Sequence, residues 1–100
     1  MHYLHQYAAD VMILCKRHHV KTLYAFGSVL TNRFSNNSDV DLVVDIDEND
    51  PLEYAEQYFD FKFALEDLLK RPVDLLENKA IRNPFMRKQI DNTKQLIYAR

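Results

Sequence analysis

"AFGSVLTNRFSNNSDVDLVVDID", residues 25–47, holds the only glycine of a 100-residue chain. Gly27 is followed at once by Ser28, and after the ten residues 29–38 come Asp39 and Asp41, which open an apolar run. Side chains alternate across a strand, so residues i and i+2 share a face. Asp39 and Asp41 then point the same way, while Val40 and Leu42 turn to the core. Two like charges side by side repel each other and offer nothing to folding. An isolated D-x-D is more often a solvated strand face than a metal site. A divalent cation changes that balance, because Mg²⁺ takes oxygen ligands, usually one or two carboxylates with phosphate oxygens and water. Such a metal polarises a phosphoryl group and neutralises a leaving pyrophosphate.

The residues around this stretch place it in a fold. "VKTLYAF", 20–26, is rich in β-branched and aromatic residues and reads as a strand that stops at Gly27. A short helical turn follows over 28–31, then a turn-rich loop over 32–38. "VDLVVDI", 40–46, reads as the second strand. A glycine ending a strand lets the backbone approach a ligand closely and tolerates positive φ, and a helical turn starting there offers free N–H groups to an anion. The Ser28 hydroxyl adds a donor. A lone Gly-Ser is commonly a plain strand-ending turn; the paired aspartates on the next strand give it a second meaning.

Outward from this centre, residues 3–18 read as an amphipathic helix with Leu4, Ala8, Val11, Met12 and Cys15 at three- and four-residue steps. Residues 52–70 carry the strongest helical signal, through Leu52, Ala55, Phe59, Phe63, Leu65, Leu68 and Leu69. Asp50 is its expected N-cap and Pro51 its first residue, and Arg71-Pro72 ends it. The surplus of aromatic residues here, Tyr54, Tyr58, Phe59, Phe61 and Phe63, exceeds what one core face needs and raises a partner surface as a second use. "PVDLLE", 72–77, is a short third strand, 80–91 a last helix interrupted or begun near Pro84, and "KQLIYA" a final strand or docked tail. The expected architecture is α/β (α+β): a small mixed sheet flanked by helices, with residues 1–100 as one domain.

A third carboxylate, Asp74, lies between Val73 and Leu75. An Asp among apolar strand residues is costly unless paired, exposed or metal-bound. Beside the 40–46 strand it would complete a three-carboxylate cluster, as a metal ligand or as the group that takes a proton from an attacking hydroxyl.

Composition narrows the class of function. The net charge is −2, and the pI is near 6.0, so no global basic field attracts nucleic acid and direct nucleic-acid binding is not favoured. Charge is unevenly spread: residues 39–60 hold nine acidic side chains and no Lys or Arg, whereas Lys79, Arg82, Arg87, Lys88, Lys94 and Arg100 crowd the tail. That asymmetry implies internal pairing or a basic rim around a charged ligand, with Arg82, Arg87 and Lys88 lining a nucleotide pocket or meeting a partner. The single Cys15 permits no internal disulfide and fits a reducing, cytoplasmic setting. No segment has the apolar length of a membrane span. His2 and His5, three apart with no third ligand, read as solvated helix residues rather than a metal site.

Taken together, Gly27-Ser28, the ten-residue gap, Asp39-x-Asp41 and the later Asp74 resemble the nucleotidyltransferases of the polymerase-β-like superfamily, and in size the chain is similar to their minimal nucleotidyltransferase branch over about residues 5–99. The resemblance implies a nucleotidyltransferase fold. It implies that Asp39 and Asp41 bind Mg²⁺ and ATP, that Gly27 and Ser28 hold the β- and γ-phosphates, and that Asp74 activates an acceptor hydroxyl or joins the metal ligands. It further implies a transferase that moves AMP to a tyrosine of a partner HEPN-type toxin, in an antitoxin role. Minimal members often carry G-S-x-x-R-G; here Thr31 and Asn32 stand at the Arg and Gly positions and Arg33 follows. Arg33 is then either a substitute phosphate contact or a solvated loop residue. Two other readings stand beside this one: a non-catalytic module that neutralises its partner by complex formation, and a small-molecule adenylyltransferase, which would need an acceptor domain this chain does not contain.

Overall fold

The two β-rich runs form the centre of a sheet in a computed structural model that describes residues 3–100. Val20–Phe26 is β1 and Val40–Ile46 is β2, with the bounds expected from composition. They pair antiparallel, Phe26 opposite Asp41 and Thr22 opposite Asp45. Val73–Glu77 is β3, parallel to β2, and Gln95–Ala99 is β4, antiparallel to β1, so the order is β3-β2-β1-β4. The tail is therefore a strand. Helix α1 spans Ala8–Arg17, α2 spans Pro51–Leu69 and α3 spans Pro84–Thr93, with 3-10 turns at Tyr3–Tyr7, Gly27–Leu30 and Asn78–Ala80.

Alternation divides the sheet into two unlike faces. Val40, Leu42, Val44 and Ile46 point to one side, where α1 and α2 cover them with Val11, Cys15, Phe61, Leu65 and Leu69. Burying such side chains is worth about 1.5–3 kcal/mol each, so this face carries most of the folding drive. Cys15 lies wholly inside it, and burial pushes its thiol up to about 12, which leaves it unreactive at neutral pH. The opposite face bears Asp41, Val43 and Asp45. Here α3 is held by one buried apolar residue, Ile90, and by polar links: Arg87 Nη1 donates to Asn78 Oδ1 at 2.6 Å, and Asn78 Nδ2 to Asp45 Oδ2 at 3.1 Å. Thr22 Oγ1 donates to the same Asp45 oxygen at 2.8 Å.

Both long helices bury a stripe that differs from the one their apolar spacing marks. In the first, Leu4, Val11 and Cys15 are buried while Ala8 and Met12 are exposed, and residues 3–7 wind as a 3-10 turn rather than as part of the α-helix. In α2 the buried residues are Tyr54, Phe61, Leu65 and Leu69; Leu52, Phe59 and Phe63 face out, at 81%, 50% and 57% exposure. A tyrosine is buried favourably when its hydroxyl finds a partner, and β3 supplies two. Tyr54 donates to Glu77 Oε2 at 3.1 Å, and Tyr58 donates to the Leu75 carbonyl. Those bonds turn α2 so that Phe59 and Phe63 stack on each other outside, their centroids 6.2 Å apart.

The acidic middle and basic tail meet in part. Arg100 Nη1 lies 2.6 Å from Asp47 Oδ2 and holds that carboxyl below the usual carboxylate range. Among the described residues no helix is long and apolar enough to cross a membrane. His2 lies outside the described residues.

Asp50 caps α2 as expected: its Oδ1 accepts from the Leu52 N–H at 3.2 Å, ahead of Pro51. Asp50→Ala is expected to lower stability by about 1 kcal/mol. Urea unfolding would show this as an earlier midpoint at an unchanged slope; an unmoved midpoint would deny the cap its role.

Candidate active site

The end of β1 and the start of β2 are built around one close approach. Gly27 has φ +76°, the left-handed region that favours glycine. A β-carbon at this position would stand 2.6 Å from Asp41 Oδ2. Residue 27 thus has two independent reasons to be glycine, one conformational and one steric. The turn after it is closed by Thr31, whose N–H and Oγ1 both donate to the Ser28 carbonyl, at 2.9 and 3.0 Å. Thr31 Oγ1 in turn accepts from the Arg33 N–H at 3.1 Å. The threonine at the position of the usual arginine is therefore a structural closure. Nothing in the structure accounts for Asn32.

Asp39 precedes β2 by one residue and is exposed, whereas Asp41 is inside the strand and half-buried. β3 lies directly beside β2 with Asp74 opposite Asp41. Paired residues of a sheet share a face, so these two carboxylates are neighbours by register. The electrostatics agree: the Asp41 carboxyl is raised above its ordinary value by burial first, then by Asp74, then by Asp39. Among the described residues no group of three or more His, Cys, Asp or Glu side chains is arranged to hold a metal ion. The donors are nevertheless all hard oxygens, the type Mg²⁺ takes, and a nucleotide's phosphates would supply the remainder.

Next to the glycine turn opens a cleft of about 600 Å³, with Gly27, Ser28 and Arg33 on one wall and Phe85, Met86 and Gln89 of α3 on the other. No hydrogen bond or ion pair among the described residues holds the Arg33 guanidinium. Arg82, Arg87 and Lys88 do not line this cleft. Arg87 is instead committed to Asn78 and to Asp91, 3.7 Å away. The wall from α3 was not evident in the sequence. A faint signal existed: Phe85 and Met86 follow the Asn83 cap and Pro84 on a helix with little apolar content, and Phe85 is 84% exposed.

Two outcomes follow. Gly27→Ala is expected to cost about 1–3 kcal/mol through its positive φ and the contact with Asp41. Adding Asp41→Ala removes the contact, so the double variant should recover part of that loss, with a coupling above about 0.5 kcal/mol; strictly additive losses would show that the two residues do not meet. The second outcome concerns pH. Because the folded Asp41 titrates above its unfolded value of about 3.9, its contribution to stability is full below that pH and falls as pH rises through the folded value. Asp41→Asn should therefore melt higher than the parent at pH 7, with the gain vanishing below about pH 3.9. Thermal melts across pH check it, and a gain that grows on acidification would contradict it.

Comparison with known proteins identifies the family. The family model "Polymerase beta, Nucleotidyltransferase" matches residues 11–100. A Methanocaldococcus jannaschii chain named "Putative protein adenylyltransferase" is 36% identical over 86 residues, 86% of this chain and 83% of that one. A solved "putative minimal nucleotidyltransferase" superposes with a TM-score of 0.75 at 30% identity, covering 92% of this chain and 90% of the other. A chain from the complex of a tri-AMPylated Shewanella oneidensis HEPN toxin with its MNT antitoxin shares the fold, with a TM-score of 0.65 at 16% identity over 96% of this chain and 72% of that one. The family match over residues 11–100 and the 36% identical adenylyltransferase relative show that the chain belongs to the polymerase beta nucleotidyltransferase family of transferases.

Proposed function

We propose that the chain is a Mg²⁺-dependent nucleotidyltransferase of the cytoplasm that transfers AMP from ATP to a tyrosine hydroxyl of a partner HEPN toxin, acting as its antitoxin. The observation that carries this reading is the pairing of Asp41 with Asp74 beside a turn that opens on Gly27, where no side chain fits. The adenylyltransferase name of the Methanocaldococcus jannaschii relative and the AMPylated toxin in the Shewanella oneidensis complex support the choice of AMP and of a HEPN toxin as acceptor.

Each residue has a role in this scheme. Asp39 and Asp41 would hold Mg²⁺, which would supply positive charge beside the triphosphate and the leaving pyrophosphate. Gly27 and Ser28 receive the β- and γ-phosphates on backbone N–H groups and a hydroxyl, and Arg33 reaches the same phosphates from the cleft wall. Asp74 accepts the proton of the acceptor hydroxyl. The hydroxyl oxygen bonds to the α-phosphorus in line as the bond from that phosphorus to the β-phosphate oxygen breaks. Catalysis is then positioning and charge stabilisation, as in phosphoryl transfer generally.

One observation favours a second reading. The exposed Leu52, Phe59 and Phe63 on α2 suit a protein partner, and neutralisation by complex formation alone would need no transfer. Incubation of this protein with ATP, Mg²⁺ and a HEPN protein from the neighbouring reading frame separates the two. Intact mass should show the partner gaining one or more AMP groups, mapped to tyrosine, and none with the Asp39→Asn, Asp41→Asn double variant. An unmodified partner that is still neutralised would sink the catalytic reading and leave the binding one.

A further inference from the structure

We infer that Arg71, at the end of α2, is the positioning residue for the Asp39 carboxylate, an inference that rests on the metal and nucleotide role proposed above. Arg71 Nη1 donates to two backbone carbonyls, of Ser35 at 2.9 Å and of Ser38 at 3.1 Å. Its guanidinium carbon lies 4.4 Å from the Phe34 ring centroid and 4.6 Å from that of Tyr3. Tyr3 is itself anchored, its hydroxyl donating to the Leu69 carbonyl at 2.9 Å. The Arg71 Nε is buried with no hydrogen-bond partner among the described residues, so aromatic contact and the two carbonyls hold the group.

The position of these bonds gives them their meaning. Ser38 is joined directly to Asp39. On the far side of Asp39, the Val40 N–H donates to the Pro72 carbonyl at 3.1 Å. Arg71 and the residue after it thus grip the chain immediately before and immediately after Asp39. Asp74 follows Pro72 by two residues, so the same segment leads into the strand that carries the proton acceptor. Asp41 and Asp74 need no such help, because the sheet itself registers them. Asp39 lies outside the strand, and no hydrogen bond or ion pair among the described residues holds its carboxylate. Its direction is set by the loop 35–38 before it and by the Val40 bond after it, and that loop is otherwise closed only by serine contacts, such as the Ser35 N–H to Ser38 Oγ at 3.1 Å. A lysine keeps the charge but has neither the flat face for Phe34 and Tyr3 nor the fixed fork for the carbonyls.

The test uses Mn²⁺ as a spectroscopic stand-in for Mg²⁺, titrated into the protein with a non-hydrolysable ATP analogue. Residues that orient a metal ligand typically change metal affinity 10–100-fold, so Arg71→Lys should weaken Mn²⁺–nucleotide binding about tenfold or more. Phe34→Leu, which removes one stacking face and leaves the carbonyls, should shift it in the same direction by less. Ile97→Ala, a half-buried change on β4 at the other edge of the sheet from β3, serves as a control of lowered Tm and should bind like the parent. Parent-like binding by Arg71→Lys overturns the inference while the site's function stands, and so does an equal loss in the Ile97→Ala control. Absence of binding by the parent protein overturns the functional reading itself, and the inference with it.

Discussion

The carboxylate of Asp41 occupies space that any side chain on residue 27 would claim, since a β-carbon there would lie 2.6 Å from Asp41 Oδ2. That exclusion requires a glycine at the end of β1, and its positive φ, which favours glycine on its own account, turns the chain into the loop that returns at Asp39. Because Asp41 is also opposite Asp74, the same constraint extends to β3. Three strands therefore meet around one partly buried charge whose protonation is favoured by burial and by its acidic neighbours.

Such an arrangement is unfavourable by itself, and the sheet carries it because its two faces are unequal. Val40, Leu42 and Val44 are fully buried on one side, interleaved with the residues that point to the site. The aspartate strand cannot shift by one residue without turning its whole apolar set into water. On the other side the apolar content is thin, with Val43 and Ile90 buried and a chain of polar bonds from Thr22 through Asp45 and Asn78 to Arg87. Local repulsion at a site held by a well-packed opposite face is a common relation between stability and function.

The parts of this design that depend on near neighbours were legible in the sequence. β1 and β2 are bounded by turn residues and by a glycine, and their limits are those composition implies. Asp50 and Pro51 start α2 where expected. The adjacency of Asp74 to the aspartate strand was conditional on strand order, which no local pattern specifies. The buried stripe of α2 was misread because the helix is apolar on two sides, and only the acceptors on β3 decide that Tyr54 and Tyr58 go inward. Arg71 was read as a helix end, since its partners are backbone carbonyls more than thirty residues earlier and leave no trace in residue type. The α3 wall of the cleft was missed for a similar reason: its residues meet the glycine turn only through tertiary placement.

The strand order has a consequence for what can be modified. β3 is the outermost strand of the sheet on its side, and Asp74 is exposed upon it. Among the described residues no further strand rises beyond it, so the proposed proton acceptor stands on a rim and not at the bottom of a trough. A rim gives a small free molecule few walls to rest against. It lets a broad, already folded surface come close and present one protruding hydroxyl without unfolding. Strand order alone thus biases this site toward acceptors that bring their own scaffold.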